Sequence, residues 1–198
     1  MSHKLLGNLS KGLVFVLSAP AGTGKTTLVR MLLDEFRCVT GSISCTTRAP
    51  RKGEVNGKDY HFLNSSVFEE KIRANEFLEY AKVFDHYYGT SKVYVEEQQS
   101  IGKHVILVID TQGAMQLKKK KYPATFIFVS PPSIAELRER LYARKTETQE
   151  AIEQRLSWAK EEMALASSYD YHIINDNLHV AYEVLKGILI AEEHRVKR

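Results

Sequence analysis

The segment Ser18-Ala-Pro-Ala-Gly-Thr-Gly-Lys-Thr-Thr27 decides the fold, because it sets a glycine-rich turn between an apolar strand and a helix. Residues 13–17 (LVFVL) form a short apolar run that predicts a buried strand, and apolar residues recur at helical spacing from Leu28 to Phe36. In this context, successive backbone N–H groups and the positive end of the helix can surround phosphate groups. The segment therefore predicts a loop that binds the phosphates of ATP or GTP.

Individual side chains of the loop have the chemistry that this task needs. In a loop of the form G-x-x-x-x-G-K-[ST], Lys25 reaches the β- and γ-phosphates and the Thr26 hydroxyl ligates Mg²⁺. Ala19 replaces the first glycine, so this position does not need a backbone conformation open only to glycine. Two interpretations compete: a turn without a ligand, and a secretory signal with its cleavage site at Ala19-Pro-Ala21. Cleavage there would cut the loop in half.

Composition and charge narrow the class of protein. The 198 residues are 43% hydrophobic and 26% charged, which is typical of one globular domain, and no run approaches the roughly 18 apolar residues of a membrane helix. The formal charge of +4 favours anionic nucleotides and is too small to indicate a nucleic-acid partner. Lys118–Lys121 is interpreted as a solvated helix end. Cys38 and Cys45 form no metal or disulfide pattern, so we expect a cytoplasmic protein with reduced thiols.

Apolar runs at the following positions predict five strands: residues 13–17, 39–44, 105–109, 125–129 and 172–174. Helical patterns lie between most of them, and this alternation predicts a parallel α/β sheet. Residues 45–96 instead combine polar turns with aromatic residues, which predicts an insertion outside the sheet.

Helices are predicted at residues 134–142, from a capping box at Thr146 to about residue 166, and at residues 178–193. A shorter helix should follow a second capping box at Ser66 and Glu69. The last helix is expected to close the core with one apolar face, formed by Val184, Leu185, Ile188 and Leu189.

Three further motifs are more specific than the loop: residues 44–60 (SCTTRAPRKGEVNGKDY), residues 75–79 (NEFLE) followed by Tyr87-Tyr-Gly-Thr90, and residues 108–113 (VIDTQG). Together with the loop, and in unbroken order from Leu13 to about Glu193, they closely resemble guanylate kinase. The resemblance implies a P-loop nucleoside monophosphate kinase fold, in which helices flank a parallel five-stranded core sheet that carries a GMP-binding insertion and a lid. It implies a single domain over residues 1–198, with these parts: core at about 1–44, 96–135 and 167–198, insertion at about 45–95, lid at about 136–166.

The family transfers the γ-phosphoryl group of ATP to GMP with Mg²⁺, giving ADP and GDP, and dGMP is a second expected acceptor. By resemblance, ATP is bound by Ala19, Pro20, Ala21, Gly22, Thr23, Gly24, Lys25, Thr26, Thr27 and Asn175. GMP is bound by Ser44, Arg48, Arg51, Tyr60, Glu79, Tyr88, Thr90 and Asp110. The implied catalytic residues are Lys25, Arg48 and the two lid arginines, Arg144 and Arg155. Thr26 ligates Mg²⁺, with Asp110 as a second candidate that acts through water.

These side chains suit their ligands. Arginine presents a planar fork to phosphate oxygens, and tyrosine hydroxyls add directional donors. Guanine has two adjacent donors and one acceptor, which a carboxylate at Glu79 or Asp110 and nearby hydroxyls can bind. Asp110 has two open roles, at guanine or near Mg²⁺. The GMP phosphate is already anionic and needs no general base, so catalysis would rest on positioning and electrostatics as insertion and lid close.

Four positions differ from the usual family pattern: Ala19, Thr90 in place of Ser, Val108 where many relatives have Asp, and Lys145 where Gly is frequent. Lys145 either stiffens the lid or adds an exposed cation. Two alternatives to the kinase remain. A guanylate-kinase-like module that binds proteins without catalysis typically has a degraded phosphate loop, whereas this loop is intact. A sister kinase for another nucleotide or a sugar phosphate should lack Glu79 and the hydroxyls that face guanine.

Overall fold

The computed structural model describes residues 4–83, 85–143 and 148–196, which contain nine strands and seven α-helices. The strands are β1 (Val14–Ser18), β2 (Val39–Gly41), β3 (Cys45–Thr46), β4 (His61–Phe62), β5 (Phe77–Val83), β6 (His86–Ser91), β7 (His104–Val108), β8 (Thr125–Ser130) and β9 (Tyr171–Ile174). The helices are α1 (Lys25–Glu35), α2 (Ser65–Arg73), α3 (Lys92–Ser100), α4 (Thr111–Lys119), α5 (Ile134–Ala143), α6 (Gln149–Ala164) and α7 (Leu178–Glu193).

Five strands form a parallel core sheet in the order β2-β7-β1-β8-β9. All five residues of β1 are buried, as a strand must be when helices cover both faces of a parallel sheet. Phe15 and Leu17 pack into a cluster with α1 and α7, while Val14 and Val16 pack on the opposite face with α3 and α4. The predicted parallel α/β sheet is confirmed. The second predicted strand is shorter than expected, because the chain leaves the sheet after Gly41.

The strand order creates a crevice at the carboxyl end of β1. This strand lies between β7 and β8, so the chain builds the sheet outward on both sides of it. Ligands of open α/β sheets bind at such a switch point, outside the carboxyl ends of the strands. The glycine-rich loop after β1 and Asp110 after β7 both lie at this edge.

Strands β3 to β6 form a second, smaller sheet in the order β4-β3-β6-β5, with α2 packed against it. Its core is aromatic: the Phe68 ring stacks on Phe77 at 4.5 Å and on Tyr87 at 5.2 Å between centroids. Side chains of α4 join this sheet to the rest of the molecule. Gln116 Nε2 donates to the Tyr80 carbonyl at 2.6 Å, and Lys120 Nζ donates to the Leu78 carbonyl at 2.8 Å.

Helices α5 and α6 pack on each other through a small apolar core that comprises Leu137, Leu141, Ile152, Leu156 and Ala159. Both predicted capping boxes are wrong. The N-cap of α6 is Thr148, whose hydroxyl accepts from Ala151 N, and Thr146 lies outside the described residues. The N-cap of α2 is Asn64, whose side chain accepts from Val67 N at 2.8 Å. In each case, a second good capping residue two positions away takes the role.

The bounds of α7 agree with the prediction, but one residue of its predicted apolar face does not. Leu185 and Leu189 are buried, whereas Val184 is 46% exposed and the neighbouring Ala181 and Tyr182 take its place in the core. Among the described residues, no helix combines the length and the apolar character that crossing a membrane would require.

The carboxylate of Glu193, at the end of α7, fastens the N-terminal segment to the core. It accepts hydrogen bonds from Gly7 N at 2.7 Å and from Asn8 N at 2.9 Å. His104 Nδ1 accepts from Leu13 N, so its Nε2 carries the proton and donates to Glu193 at 2.6 Å. Burial alone would raise the pKa of Glu193, but these hydrogen bonds outweigh it and lower the pKa to about 2.

We predict that Glu193→Gln destabilises the protein by about 1–3 kcal/mol at pH 7, because the amide replaces one acceptor oxygen with a donor. The low folded-state pKa stabilises the protein above the ordinary value of 4.5, and this contribution is lost as the pH falls towards 2. The difference in unfolding free energy between wild type and variant should therefore shrink below pH 4.5. Glu183→Gln, an exposed change on the same helix, is the control in denaturant titrations. A difference that stays constant down to pH 3 would contradict this account.

Candidate active site

The glycine-rich loop wraps the N-terminus of α1, as the sequence predicts. Gly22 and Gly24 have φ values of 92° and 97°, in the left-handed region that favours glycine. Gly24 is also the N-cap of α1, and its carbonyl accepts from Thr27 N at 3.0 Å. Ala19 is outside the left-handed region, which explains why alanine is tolerated at the first position of the loop. The loop therefore presents the start of an 11-residue helix to the crevice.

Lys25 lies over the loop, and its Nζ donates to the Ala19 carbonyl at 3.2 Å. Burial lowers the pKa of this lysine, while the carboxylates of Glu162 and Asp110 oppose the shift. Burial in turn raises the pKa of Glu162 to about 7. Burial thus opposes the charged form of Lys25, and the negative oxygens of a bound polyphosphate would favour it.

Asn175, predicted to contact ATP, supports the loop from β9. The side chain is buried, and Nδ2 donates to the Thr23 carbonyl at 2.6 Å. A Cβ at Gly24 would come within 2.6 Å of the same nitrogen, a second reason for glycine there. Arg140 of α5 donates to the Asn175 carbonyl at 3.0 Å. The Asn175 side-chain amide thus stabilises the conformation of the loop, and its direct contact with ATP stays a prediction.

A second group of predicted residues lies on the smaller sheet. Arg48 stacks over the Tyr60 ring at 5.4 Å, and Tyr60 meets Tyr88 edge to face at 6.0 Å. Arg51 is exposed, and its guanidinium forms no hydrogen bond or ion pair with another described residue. Burial raises the pKa of Tyr60, so its hydroxyl stays protonated and available as a donor. The four side chains together suit a phosphate monoester.

The third group surrounds a buried carboxylate on β5. Glu79 is 3% exposed and accepts a 2.5 Å hydrogen bond from the Thr90 hydroxyl, across the β5–β6 ladder. A Cβ on Gly113 would come within 2.3 Å of Glu79 Oε2, so any side chain at this position of α4 would displace the carboxylate. Asp110 caps the same helix, and its Oδ1 accepts from Gly113 N at 2.8 Å. The second oxygen of Asp110 has no such bond within the described structure.

The ionisation of Glu79 is unusual. Burial raises its pKa to about 7, and Asp110 adds to the shift, while the Thr90 hydroxyl and Lys120 oppose it. A carboxylate in this position has lost water without gaining enough donors. Two adjacent N–H donors from a ligand would compensate that loss, as guanine N1–H and N2–H would.

The remaining predicted residues are less closely grouped. Ser44 lies in the segment between the two sheets, and Arg155 is partly buried on α6. Arg144 and Lys145 lie outside the described residues. Val108, where many relatives have Asp, packs against the apolar core beside α1.

A divalent cation would find suitable donors at the loop. Thr26 is exposed on the first turn of α1, and its hydroxyl forms no hydrogen bond with another described residue. Asp110 offers its second oxygen from the neighbouring strand. Mg²⁺ at nucleotide sites usually takes only one or two protein oxygens and completes its shell with phosphate and water. This sparse hydroxyl and carboxylate set fits that pattern.

Sequence reasoning missed several residues of the site. Glu162 and Arg140 have no motif of their own, and only the packing of α5 and α6 brings them near the loop. Glu54 belongs to a quoted motif, but its partner could not be read from the sequence. The structure pairs it with Arg48 at 2.8 Å.

The sheet order, the loop after β1 and Lys25 define a phosphate-loop nucleotide-binding protein of the α/β class. Comparisons with known proteins are more specific. The guanylate kinase family model matches residues 11–192. The chain is 60% identical over 192 residues to the guanylate kinase of Protochlamydia amoebophila, covering 97% of each chain. It is 46% identical to that of Clostridium tetani, covering 96% of this chain and 91% of the relative.

A solved structure agrees with these matches. The crystal structure of guanylate kinase from Anaplasma phagocytophilum superposes with a TM-score of 0.77 at 32% identity, over 98% of this chain and 91% of the other. The chain belongs to the guanylate kinase family.

We predict that Glu79→Gln makes the ligand-free protein more stable at pH 8. The folded-state pKa of about 7 exceeds the ordinary value of 4.5, so the ionised carboxylate destabilises the fold above pH 7 and not below pH 4.5. The gain at pH 8 should be at most roughly 3 kcal/mol, and it should vanish at pH 4.5. Thermal unfolding at both pH values, with the exposed Glu97→Gln as control, measures it. A variant less stable than wild type at pH 8 would contradict the claim that the ionised Glu79 carboxylate destabilises the fold.

Proposed function

We propose that the protein transfers the γ-phosphoryl group of ATP to GMP, giving ADP and GDP, and accepts dGMP as well. One observation carries the proposal: a buried carboxylate with a raised pKa, Glu79, lies where β5 meets the helix that follows β7, in a chain with an intact triphosphate loop after β1. A phosphate loop alone selects a nucleotide. The buried carboxylate selects a base with two adjacent donors.

ATP is bound in this proposal by the loop residues 19–27, with Lys25 at the β- and γ-phosphates. Asn175 holds the Thr23 carbonyl and thereby the curvature of the loop. Thr26 would hold Mg²⁺, with Asp110 through water as a second candidate if it does not bind guanine, and Mg²⁺ would neutralise charge on the β- and γ-phosphates.

GMP is bound by two sets of side chains in this proposal. Arg48, Arg51, Tyr60 and Tyr88 hold its phosphate by charge and hydroxyl donors. The base is bound by residues of both sheets: Glu79, Asp110, Ser44 and Thr90. Because Thr90 already donates to Glu79, its main effect is to orient that carboxylate towards the base. Adenine would set an unprotonated N1 against Glu79, so AMP should be rejected.

Catalysis in this proposal needs position and charge, and no general base. The acceptor oxygen of GMP is anionic at neutral pH, so Arg48 and Arg51 need only hold it in line with the γ-phosphate. Lys25 and the lid arginines, Arg144 and Arg155, stabilise charge on the transferring group. Residues 45–95 act as the GMP-binding insertion and residues 136–166 as the lid, which close towards the core at about 1–44, 96–135 and 167–198 and exclude water.

The proposal also covers the partners and the cellular location of the protein. Small anionic substrates suit the modest charge of +4, and we propose no nucleic-acid or membrane partner. The cysteines Cys38 and Cys45 are free thiols, which supports a reducing, cytoplasmic location.

Replacement of Lys25 tests the loop. We expect Lys25→Ala to lower kcat by about a hundredfold to a thousandfold, because one fixed cation is lost from the transition state. The circular dichroism spectrum should not change. Lys119→Ala, an exposed change on α4, is the control and should keep full activity. Normal turnover by the Lys25 variant would remove this lysine from the mechanism.

A panel of acceptors tests the whole proposal. ADP release from ATP and Mg²⁺ is measured with GMP, dGMP, AMP, CMP, UMP and dTMP in separate assays. We expect turnover with the guanine nucleotides and a preference over AMP of up to roughly 10⁴–10⁵ in kcat/KM, because AMP leaves buried groups unpaired. Turnover with another acceptor would indicate a sister kinase. No turnover with any of them would favour a protein-binding module without catalysis.

A further inference from the structure

The two arginines of the acceptor site lie in one short segment, residues 48–54, here called the arginine turn, which ends in a tight β-turn. Glu54 N donates to the Arg51 carbonyl at 3.0 Å, which closes a four-residue β-turn. Gly53, at its third position, has a φ of 91° and leaves open space where a side chain would be. The turn brings Glu54 back towards the guanidinium of Arg48.

Both carboxylate oxygens of Glu54 are used within the arginine turn. Oε1 lies 2.8 Å from Arg48 Nη2, and Oε2 accepts from Arg51 N at 2.7 Å. The side chains of Arg48 and Glu54 are only 12% and 20% exposed, so solvent screens this pair less than a surface ion pair. Arg48 and then the Arg51 backbone hold the pKa of Glu54 below its ordinary value.

The contacts of Arg48 leave part of its guanidinium for a ligand. Nη1 donates to the Ala49 carbonyl at 2.7 Å, and the group stacks over Tyr60 and Phe62. A guanidinium has five N–H donors, and these contacts with Ala49 and Glu54 use two of them. Arg48 also bonds to the Tyr88 hydroxyl, so two donors remain, which is enough for a forked contact with phosphate. Glu54 therefore holds Arg48 without exhausting it.

We propose that Glu54 is a positioning residue for the acceptor phosphate, since its one carboxylate fixes the Arg48 side chain and the Arg51 backbone in a single geometry. This inference rests on the proposed function, because it concerns how that same site binds the GMP phosphate. Arginine loses much rotamer freedom when it is held in one place. Because Glu54 already holds Arg48 in the free protein, GMP binding costs less side-chain entropy.

A second role for Glu54 would have the opposite consequence. The carboxylate could occupy Arg48 as a substitute anion, which the GMP phosphate must displace. The contact with Arg51 N argues against displacement, because the Glu54 carboxylate would then also have to give up its 2.7 Å hydrogen bond from Arg51 N. The two roles predict opposite changes in GMP affinity.

The test is the variant Glu54→Gln, which keeps the size of the side chain and removes its charge. One of its two carboxylate oxygens becomes an NH₂ group, so a donor faces a donor at Arg48 or at Arg51 N. Dissociation constants for GMP and for guanosine are measured by calorimetry with the full chain. We expect the dissociation constant for GMP to rise about tenfold or more, as for loss of a charged hydrogen bond, and that for guanosine to stay unchanged.

Glu76→Gln, one residue before β5, is the matched control. Glu76 pairs with Lys71 at 2.6 Å on the surface and belongs to neither substrate site, so its variant should bind GMP like wild type. In steady-state assays, Glu54→Gln should raise KM for GMP and leave KM for ATP unaltered.

Three results would overturn the inference. Unchanged GMP affinity means that Glu54 positions nothing, and tighter GMP binding identifies it as a competing anion. Equal weakening of GMP and guanosine means that the change only disturbs the fold of the sheet. Failure of the proposed function is distinguishable, because the wild-type protein would then neither bind nor phosphorylate GMP.

Discussion

The buried carboxylate of Glu79 is the constraint on which the arrangement of the two sheets depends. It lies where β5 meets α4, with the Thr90 hydroxyl on one side and Gly113 on the other, where a Cβ would displace the carboxylate. The same seam is held by side chains of α4 that bind the backbone of β5 at Leu78 and Tyr80. These contacts fix the small sheet to the core beside the buried carboxylate of Glu79.

The burial of Glu79 opposes stability, and in the proposed function it serves recognition of the base. A carboxylate with a pKa near 7 in the empty protein is short of donors, and a ligand that brings two of them recovers free energy that folding lost. A ligand without them leaves the group as poorly satisfied as before. In the proposed function, selectivity for guanine over adenine would come from the shortage of donors around Glu79. Glu193 is the opposite case, because hydrogen-bond donors surround its carboxylate and its ionised form stabilises the fold.

Much of the fold could be predicted from the sequence, because its signals are local. The apolar run of β1, the glycine loop and the alternation of strands with helices each lie within a few residues. The second sheet could not be predicted strand by strand, since β3 and β4 have two residues each and show no periodicity. The caps of α2 and α6 were misplaced because competing capping residues stand two positions apart, and Val184 faces solvent because Tyr182 fills the core instead.

The site, like the fold, could be predicted only where its signals are local in the sequence. Its motifs predicted which residue types gather, whereas their roles depend on contacts between distant parts of the chain. Asn175 supports Thr23 across 152 positions, and Glu162 reaches the field of Lys25 only through the packing of α6. Family motifs name such residues without their partners.

A crystal structure of the protein with GMP tests the central claim most directly. The account predicts both Glu79 carboxylate oxygens within hydrogen-bond distance of guanine N1 or N2, and the phosphate between Arg48 and Arg51. Guanine bound away from Glu79, with the Glu79–Thr90 pair undisturbed and unliganded, would contradict it.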